Sequence, residues 1–385
     1  MIIAETDKKN VLPEIFSEIS LNGIQKIKAP FFGTFCADAK KVSVANDSID
    51  LIFTSPAYWQ KRDYEIKGQI GWENSPQEYV VIIGEILGEW KNILKKTGSL
   101  FLNVGDSYSN GRLLDIPGLV VSIAQKKGWI LRHRIVWEKP NTTPHSAQKR
   151  LALREEAILH FTLTDDYYWD LEGYKKIFGS VSNVWRISPA QHKGEHLAPF
   201  PKELVERVLT LACPKFVCVK CEKPFVRQIE KTAELDETRP QARRALAIAK
   251  EKGLTKEHIA AIQAVGISDA GKALKFQNGA GKNGEKTQVL AREAKVILGG
   301  YFREFTFAKK RTVGWRGCNC QANLKSGLLY DPFVGTGTSL RVAARLGFSA
   351  IGSDLRIYDD LHETLRQIDS TENSSAISTA KNHSA

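Results

Sequence analysis

Two short segments, far apart in the chain, carry residue types that could do chemistry together. The first is Thr54-Ser55-Pro56-Ala57-Tyr58-Trp59. A serine hydroxyl can accept hydrogen bonds, and proline, with φ fixed and no N–H, stiffens a loop and sets the direction of its carbonyl. Tyr58 adds an aromatic face. Two fixed acceptors beside a stacking surface can hold an amino group on a flat heterocycle. The second segment is Asp331-Pro332-Phe333-Val334-Gly335-Thr336-Gly337-Thr338. Gly335 and Gly337 let the backbone turn tightly and approach a ligand. The helix that follows offers free N–H groups to an anionic group. Asp354 comes 23 residues after Asp331, at the end of the next apolar run, where a carboxylate can accept both hydroxyls of a ribose. The string lacks the third glycine of a dinucleotide fingerprint and the lysine of a phosphate-binding loop.

A third constellation is made of cysteines. Cys218-x-x-Cys221 and Cys318-x-Cys320 supply four thiolates, enough for a closed tetrahedral zinc site. Ninety-six residues separate the two pairs. The expectation is a zinc clasp at the neck of an insertion. Cys36 and Cys213 have no partner motif and are expected in the core.

These segments need elements to position them. Asp50–Phe53 and Leu328–Tyr330 are short apolar runs that read as buried strands ending in the two loops. Ser99–Val104, Trp129–Trp137, Glu156–Phe161 and Ala350–Gly352 read as further strands. Pro117–Lys127, Pro201–Leu211 and Ser339–Leu346 read as helices. Ile259, Ile262 and Val265 keep a helical step that Gly266 ends. Such alternation predicts a mostly parallel, twisted α/β sheet with helices on both faces. Gly279–Gly284 reads as a glycine-rich basic loop.

The chain has 385 residues, 42% of them hydrophobic, with a net charge of +12. No apolar run approaches the roughly 18 residues of a membrane span, and the first residues lack a signal peptide's pattern. The expectation is a cytoplasmic globular protein with no membrane partner. The charge is uneven: Lys231–Arg311 holds 17 Lys and Arg against 9 Asp and Glu. Arg243, Arg244, Lys272, Lys275, Lys282, Lys309, Lys310 and Arg311 could contact phosphates of a polyanion.

The two loops, in this order, resemble those of the β-class N4-cytosine/N6-adenine DNA methyltransferases of bacterial restriction–modification systems. Further matching pieces are Leu51–Pro56, Asn103–Tyr108, Ile135–Asn141, Asn183–Trp185 and His196–Pro201. The similarity covers Gly33–Ala212 and Leu328–Leu365. The resemblance implies an S-adenosylmethionine-dependent methyltransferase fold and transfer of a methyl group to an exocyclic nitrogen of a base flipped out of double-stranded DNA. It implies catalytic roles for Ser55, Pro56 and Tyr58. It places Asp38, Phe200, Pro201, Asp331, Pro332, Phe333, Gly335, Gly337, Thr338 and Asp354 around S-adenosylmethionine. Serine at the head of the catalytic loop is commoner in the cytosine enzymes, so cytosine N4 is the expected target. Adenine N6, or a non-catalytic DNA-binding protein on a degenerate scaffold, are the alternatives. A cognate restriction endonuclease is the implied companion. The chain departs from the family pattern at Ala57, usually a second proline, and at Ala37, usually glycine. The expected organisation is a peripheral N-terminus (1–30), a catalytic part (31–217), a zinc-clasped basic insertion contacting DNA (218–320), a cofactor-binding part (321–369) and a disordered tail (370–385).

Overall fold

The computed structural model describes residues 26–140, 149, 151–190, 200–265, 284–299, 303–357 and 361. Expectations for the peripheral N-terminus up to residue 25, Asn141, residues 196–199, Gly266, Lys272, Lys275, residues 279–283 with Lys282, and the tail fall outside these residues.

The first strands are β1 (Phe32–Cys36), β2 (Ile49–Thr54), β3 (Leu94–Val104), β4 (Tyr108–Ser109), β5 (Arg112–Leu113), β6 (Ile130–Glu138), β7 (Glu155–Thr162) and β8 (Val184–Arg186). There follow β9 (Val217–Cys218), β10 (Val226–Leu235), β11 (Ala308–Arg316), β12 (Leu324–Lys325), β13 (Leu328–Asp331) and β14 (Ser349–Asp354). The helices are α1 (Pro76–Ile93), α2 (Ile116–Lys126), α3 (Leu171–Phe178), α4 (Lys202–Ala212), α5 (Pro240–Glu251), α6 (Lys256–Val265), α7 (Glu285–Ile297) and α8 (Thr338–Arg345). The chain divides into two compact units, one running to Val226 and resuming at Gly317, the other Arg227–Arg316.

Among the described residues, the first unit is built on an eight-stranded sheet in the order β1-β14-β13-β2-β3-β7-β6-β8. Every neighbouring pair is parallel except those made by β7, which runs antiparallel to both β3 and β6. The mostly parallel α/β sheet expected from the alternation is present. Residues on each strand alternate between its two faces, as the pleat requires. Leu51, Phe53, Phe101 and Ile158 join the core with α4 and α8. Ile52, Leu100, Leu102 and Leu159 join the core with α1 and α2. All six residues of β2 are buried, which is why its centre, Leu51–Phe53, reads as an apolar run.

Helix α1 is absent from the sequence reading above, yet its signals are local. Ser75 Oγ accepts Glu78 N at 3.2 Å as the cap, and Pro76 occupies the first turn. Glu78 reaches back to Asn74 N, and Tyr79, Ile83, Ile86 and Trp90 repeat at helical spacing on the buried face. Among the described residues no helix is long and apolar enough to cross a membrane.

The second unit pairs β10 with β11 and gathers α5–α7 on a small core that includes Leu235, Ala245, Ile259, Ile262 and Phe305. Its cations are partly engaged. Arg311 pairs with Glu230 at 2.9 Å and Lys309 with Glu234 at 3.3 Å. Arg243 donates to the Glu237 carbonyl, and Arg244 lies 3.9 Å from Glu304.

Candidate active site

The two loops emerge side by side. β13 and β2 are parallel neighbours, Leu329 opposite Leu51 and Tyr330 opposite Ile52, so both loops leave the same edge of the sheet. Ligands of open α/β sheets bind outside that edge, at the carboxyl ends of the strands.

Asp331 fastens the loops to each other. Its carboxylate accepts Thr54 Oγ1 at 2.6 Å, Ser339 Oγ at 2.5 Å and Phe333 N at 3.2 Å. Burial pushes the carboxyl up to about 6, against the pull of the Ser339 and Thr54 hydroxyls. The side chain is 1% exposed and lines neither of the cavities below. It was expected among the cofactor contacts; in the fold its carboxylate braces the glycine loop from behind. Gly337 and Pro201 also line neither cavity. Gly337 turns the chain into α8 at φ 81°, where a Cβ would stand 2.3 Å from Leu361 Cδ1. Pro201 is the residue before α4.

A smaller cavity of about 100 Å³ lies against the glycine loop. Asp38 and Asp354 both line it, with Pro332 and the apolar Ile66 and Ile86. β1 and β14 pair in parallel with Cys36 opposite Asp354, which brings the two acids together across 316 residues of sequence. Gly335, at φ 48°, donates its N–H to Asp354 Oδ2 at 3.0 Å. Burial raises the Asp354 carboxyl above its ordinary range, while the N–H groups of Gly335, Leu355 and Arg356 oppose the rise. Two carboxylates, apolar walls and a helix start fit a nucleoside carrying hydroxyl and amino donors, the donor pattern of S-adenosylmethionine.

A larger cavity of about 240 Å³ opens beside it. Ser55, Phe333 and Gly335 line both. Pro56, Tyr58, Phe200 and Thr338 line the larger one. So do Asn103, Lys139 and Glu156, to which the sequence reading gave no role. Ser55 Oγ donates to Tyr58 OH at 3.1 Å, and Tyr58 OH donates to Glu156 Oε2 at 2.7 Å. Asn103 Nδ2 donates to Tyr58 OH at 2.8 Å and to Glu156 Oε2 at 2.9 Å. Lys139 closes the set by pairing with Glu156 Oε1, its ammonium 4.6 Å from the centre of the Trp137 ring. The carboxylate at the end of this chain orients both hydroxyls. It draws the Ser55 proton toward Tyr58 and leaves serine lone pairs for an incoming N–H. Burial, and then the Glu156 charge, push the Tyr58 phenol well above its ordinary range, so it stays a donor. The signal that could have found Asn103 is a lone amide in the apolar run Leu100–Val104.

The stiffness that a second proline would give at Ala57 comes from packing. Tyr79 of α1 donates to the Ala57 carbonyl at 3.0 Å, Gln60 N reaches Gly71 O at 2.6 Å, and Trp59 Nε1 reaches Glu73 O at 3.1 Å. The Tyr58 ring lies against Gly105, where a Cβ would meet ring carbon Cε2 at 2.6 Å.

The four paired cysteines converge as their spacing predicts. Their Sγ atoms all lie within 4.8 Å of one another. Cys218 sits on β9, paired with Leu324 of β12, and Lys220 N donates to its sulfur at 3.4 Å. Each pair is followed by a left-handed residue, Glu222 at φ 56° and Gln321 at φ 49°, which turns the chain around the sulfurs. Burial raises the Cys218 thiol, but the N–H groups of Cys221 and Lys220 outweigh it and bring it down to about 7. Cys213 is buried as expected; Cys36 is exposed, a correction. It ends β1 next to the cavity edge, and its thiol donates to the Leu355 carbonyl.

Residues 49–219 match the N6/N4 DNA methylase family. The type II methyltransferase M.SmaI of Serratia marcescens is 30% identical over 213 residues, 46% of this chain and 73% of that protein. The chain belongs to this DNA methylase family. M.Cfr9I of Citrobacter freundii is 32% identical over 192 residues, and M.MwoI of Methanothermobacter wolfeii 37% over 169. The chain spans 64% of the length of the first and 24% of the second. The family match contains the catalytic loop, Asn103, Lys139 and Glu156; the glycine loop lies beyond it.

Proposed function

We propose that this chain transfers a methyl group from S-adenosylmethionine to the exocyclic N4 of cytosine in double-stranded DNA, as the modifying partner of a restriction endonuclease. The observation that carries the reading is the Ser55–Tyr58–Glu156 hydrogen-bond chain, opening on a cavity that shares Ser55 with the carboxylate-lined one. The type II methyltransferases among its relatives supply the biological setting.

An exocyclic amine is a poor nucleophile because its lone pair is delocalised into the ring. Ser55 Oγ and the Pro56 carbonyl accept its N–H groups and favour a pyramidal nitrogen. Tyr58, Trp137 and Phe200 offer flat faces to a base taken out of the duplex, offsetting part of the few kcal/mol that extrusion costs. Lys61 and Arg62, also on the cavity wall, suit the adjoining phosphates. S-adenosylmethionine, when bound, supplies an electrophilic methyl carbon. The amine then carries one proton too many. That proton passes to Ser55 Oγ as the serine proton moves to Tyr58 and the tyrosine proton to Glu156, whose carboxylate becomes a neutral acid; the positive charge that arrived with the cofactor is thereby cancelled, and the proton leaves to solvent after transfer. Positioning supplies much of the rate.

Asp354 holds the ribose in this reading. Asp354→Ala is expected to weaken S-adenosylmethionine binding about 10- to 100-fold, the worth of a charged hydrogen bond. Unchanged affinity by calorimetry would remove Asp354 from the site. The four cysteine sulfurs hold one zinc ion, which fits their mutual distances and the N–H groups aimed at them.

The activity is tested with tritiated cofactor and unmethylated bulk DNA, followed by digestion and separation of the nucleosides. Label in N4-methylcytosine is expected. Label in N6-methyladenine would assign the other amine on the same scaffold. No transferred label, with DNA retained, would leave a DNA-binding chain with a degenerate site.

A further inference from the structure

The strands that carry the two loops have roots as well as tips, and both roots meet one ion network. Asp50, near the start of β2, places Oδ1 2.9 Å from Lys95 Nζ and accepts the N–H of Leu328, the first residue of β13, on Oδ2 at 2.9 Å. Lys95 also reaches Glu222 Oε2 at 2.8 Å, and the other oxygen of Glu222 takes Lys325 at 2.7 Å. Two cations and two anions close the set. The side chains of Lys95 and Asp50 are 6% and 2% exposed, and a buried pair of this kind depends on having all its partners.

Glu222 is the residue after Cys221. It stands at φ 56°, in a region that side chains other than glycine seldom adopt. Its N–H is held by the Cys218 carbonyl at 3.0 Å. The geometry of the cysteine turn therefore sets where the Glu222 carboxylate can reach. We infer that Glu222 is a positioning residue: through it, metal ligation by the four cysteines fixes the roots of β2 and β13, and with them the loops that bind the cofactor. This rests on the zinc reading above. Without the ion the turn is free to open, Glu222 withdraws, and Lys95 is left with Asp50 alone, beside the bond that holds β13 in register.

The test combines metal content with cofactor-site affinity in a cycle. Wild type and Glu222→Ala, each with zinc and after chelation, are titrated calorimetrically with S-adenosylhomocysteine. Zinc is expected at about one per chain in both, since no thiolate is lost. Glu222→Ala with zinc bound is expected to bind S-adenosylhomocysteine about tenfold more weakly than wild type, within the range of coupling in one network. Chelation should weaken wild type by a similar factor and the variant by little more. Glu222→Gln keeps the shape without the charge and should follow the alanine variant; its melting curve checks that it is folded. Zinc in both proteins with equal affinities, or with chelation losses that add in full, overturns the coupling while leaving the metal reading intact. Absence of zinc from wild type overturns both.

Discussion

Ser55→Ala is expected to lower the single-turnover methyl-transfer rate by about 10²- to 10³-fold, the range seen when one preorganised hydrogen-bonding group at a reacting centre is removed. Cofactor affinity should change by no more than about threefold, because the charged anchors of that cavity are Asp38 and Asp354. The rate loss has two sources. One is the acceptor that holds the amine as its nitrogen becomes pyramidal, an interaction strongest in the transition state. The other is the first link of the proton path, since Ser55 Oγ donates to Tyr58 OH at 3.1 Å. Tyr58 and Glu156 remain paired in the variant through their own 2.7 Å bond, so the cavity should keep its shape. Single-turnover transfer at the wild-type rate would end the role proposed for Ser55.

The second large effect concerns the metal. Cys318→Ser is expected to reduce bound zinc from about one per chain to a small fraction, because it leaves three of four thiolates. A structural zinc site contributes on the order of 10 kcal/mol of apparent binding energy to the fold around it. A tetrahedral ion with bonds of about 2.3 Å would hold sulfurs roughly 3.8 Å apart, so the observed cluster, within 4.8 Å, needs only a small contraction. Cys218 and Cys221 precede the second unit in sequence and Cys318 and Cys320 follow it, so the ion would bridge the two passages of chain between units. Limited proteolysis of the variant should open cleavage sites near residues 213–226 and 317–327. Metal analysis finding no zinc in wild-type protein prepared under reducing, metal-replete conditions would sink the assignment.

Several features of the protein are written in contiguous residues. Ser55-Pro56-x-Tyr58 and Asp331-Pro332-Phe333-x-Gly335-x-Gly337 announce themselves because a turn's conformation and the atoms it presents depend on near neighbours. The strands β2, β3, β7 and β13 were legible for a related reason: a strand buried on both faces carries a run of apolar residues at its centre. The cysteine pairs were legible because each sets two thiols on one turn. The net excess of eight positive charges over Lys231–Arg311 was visible too, but not that Arg311 and Lys309 face glutamates on the neighbouring strand. Helix α1 was equally available from its cap and periodicity.

What the sequence by itself determined, then, is the pair of loops, the four-cysteine constellation and an α/β sheet to carry them. Only the tertiary structure decided which groups those loops work with. Ser55 and Tyr58 find Asn103 and Glu156 because β2, β3, β7 and β6 are consecutive in the sheet and β7 alone among these runs antiparallel. That reversal brings the start of β7 to the edge where β2, β3 and β6 end, with Glu156 opposite Trp137 and Ala157 opposite Val104. Asp331 reads in sequence as part of the glycine loop alone, and the fold makes it the brace between the two loops, because Thr54 and Ser339 close over it in three dimensions. Lys95 and Glu222, 127 residues apart, meet for the same reason. Local strings fix backbone conformation and ligand type, whereas strand order, direction and register choose the partners of every side chain that crosses between elements.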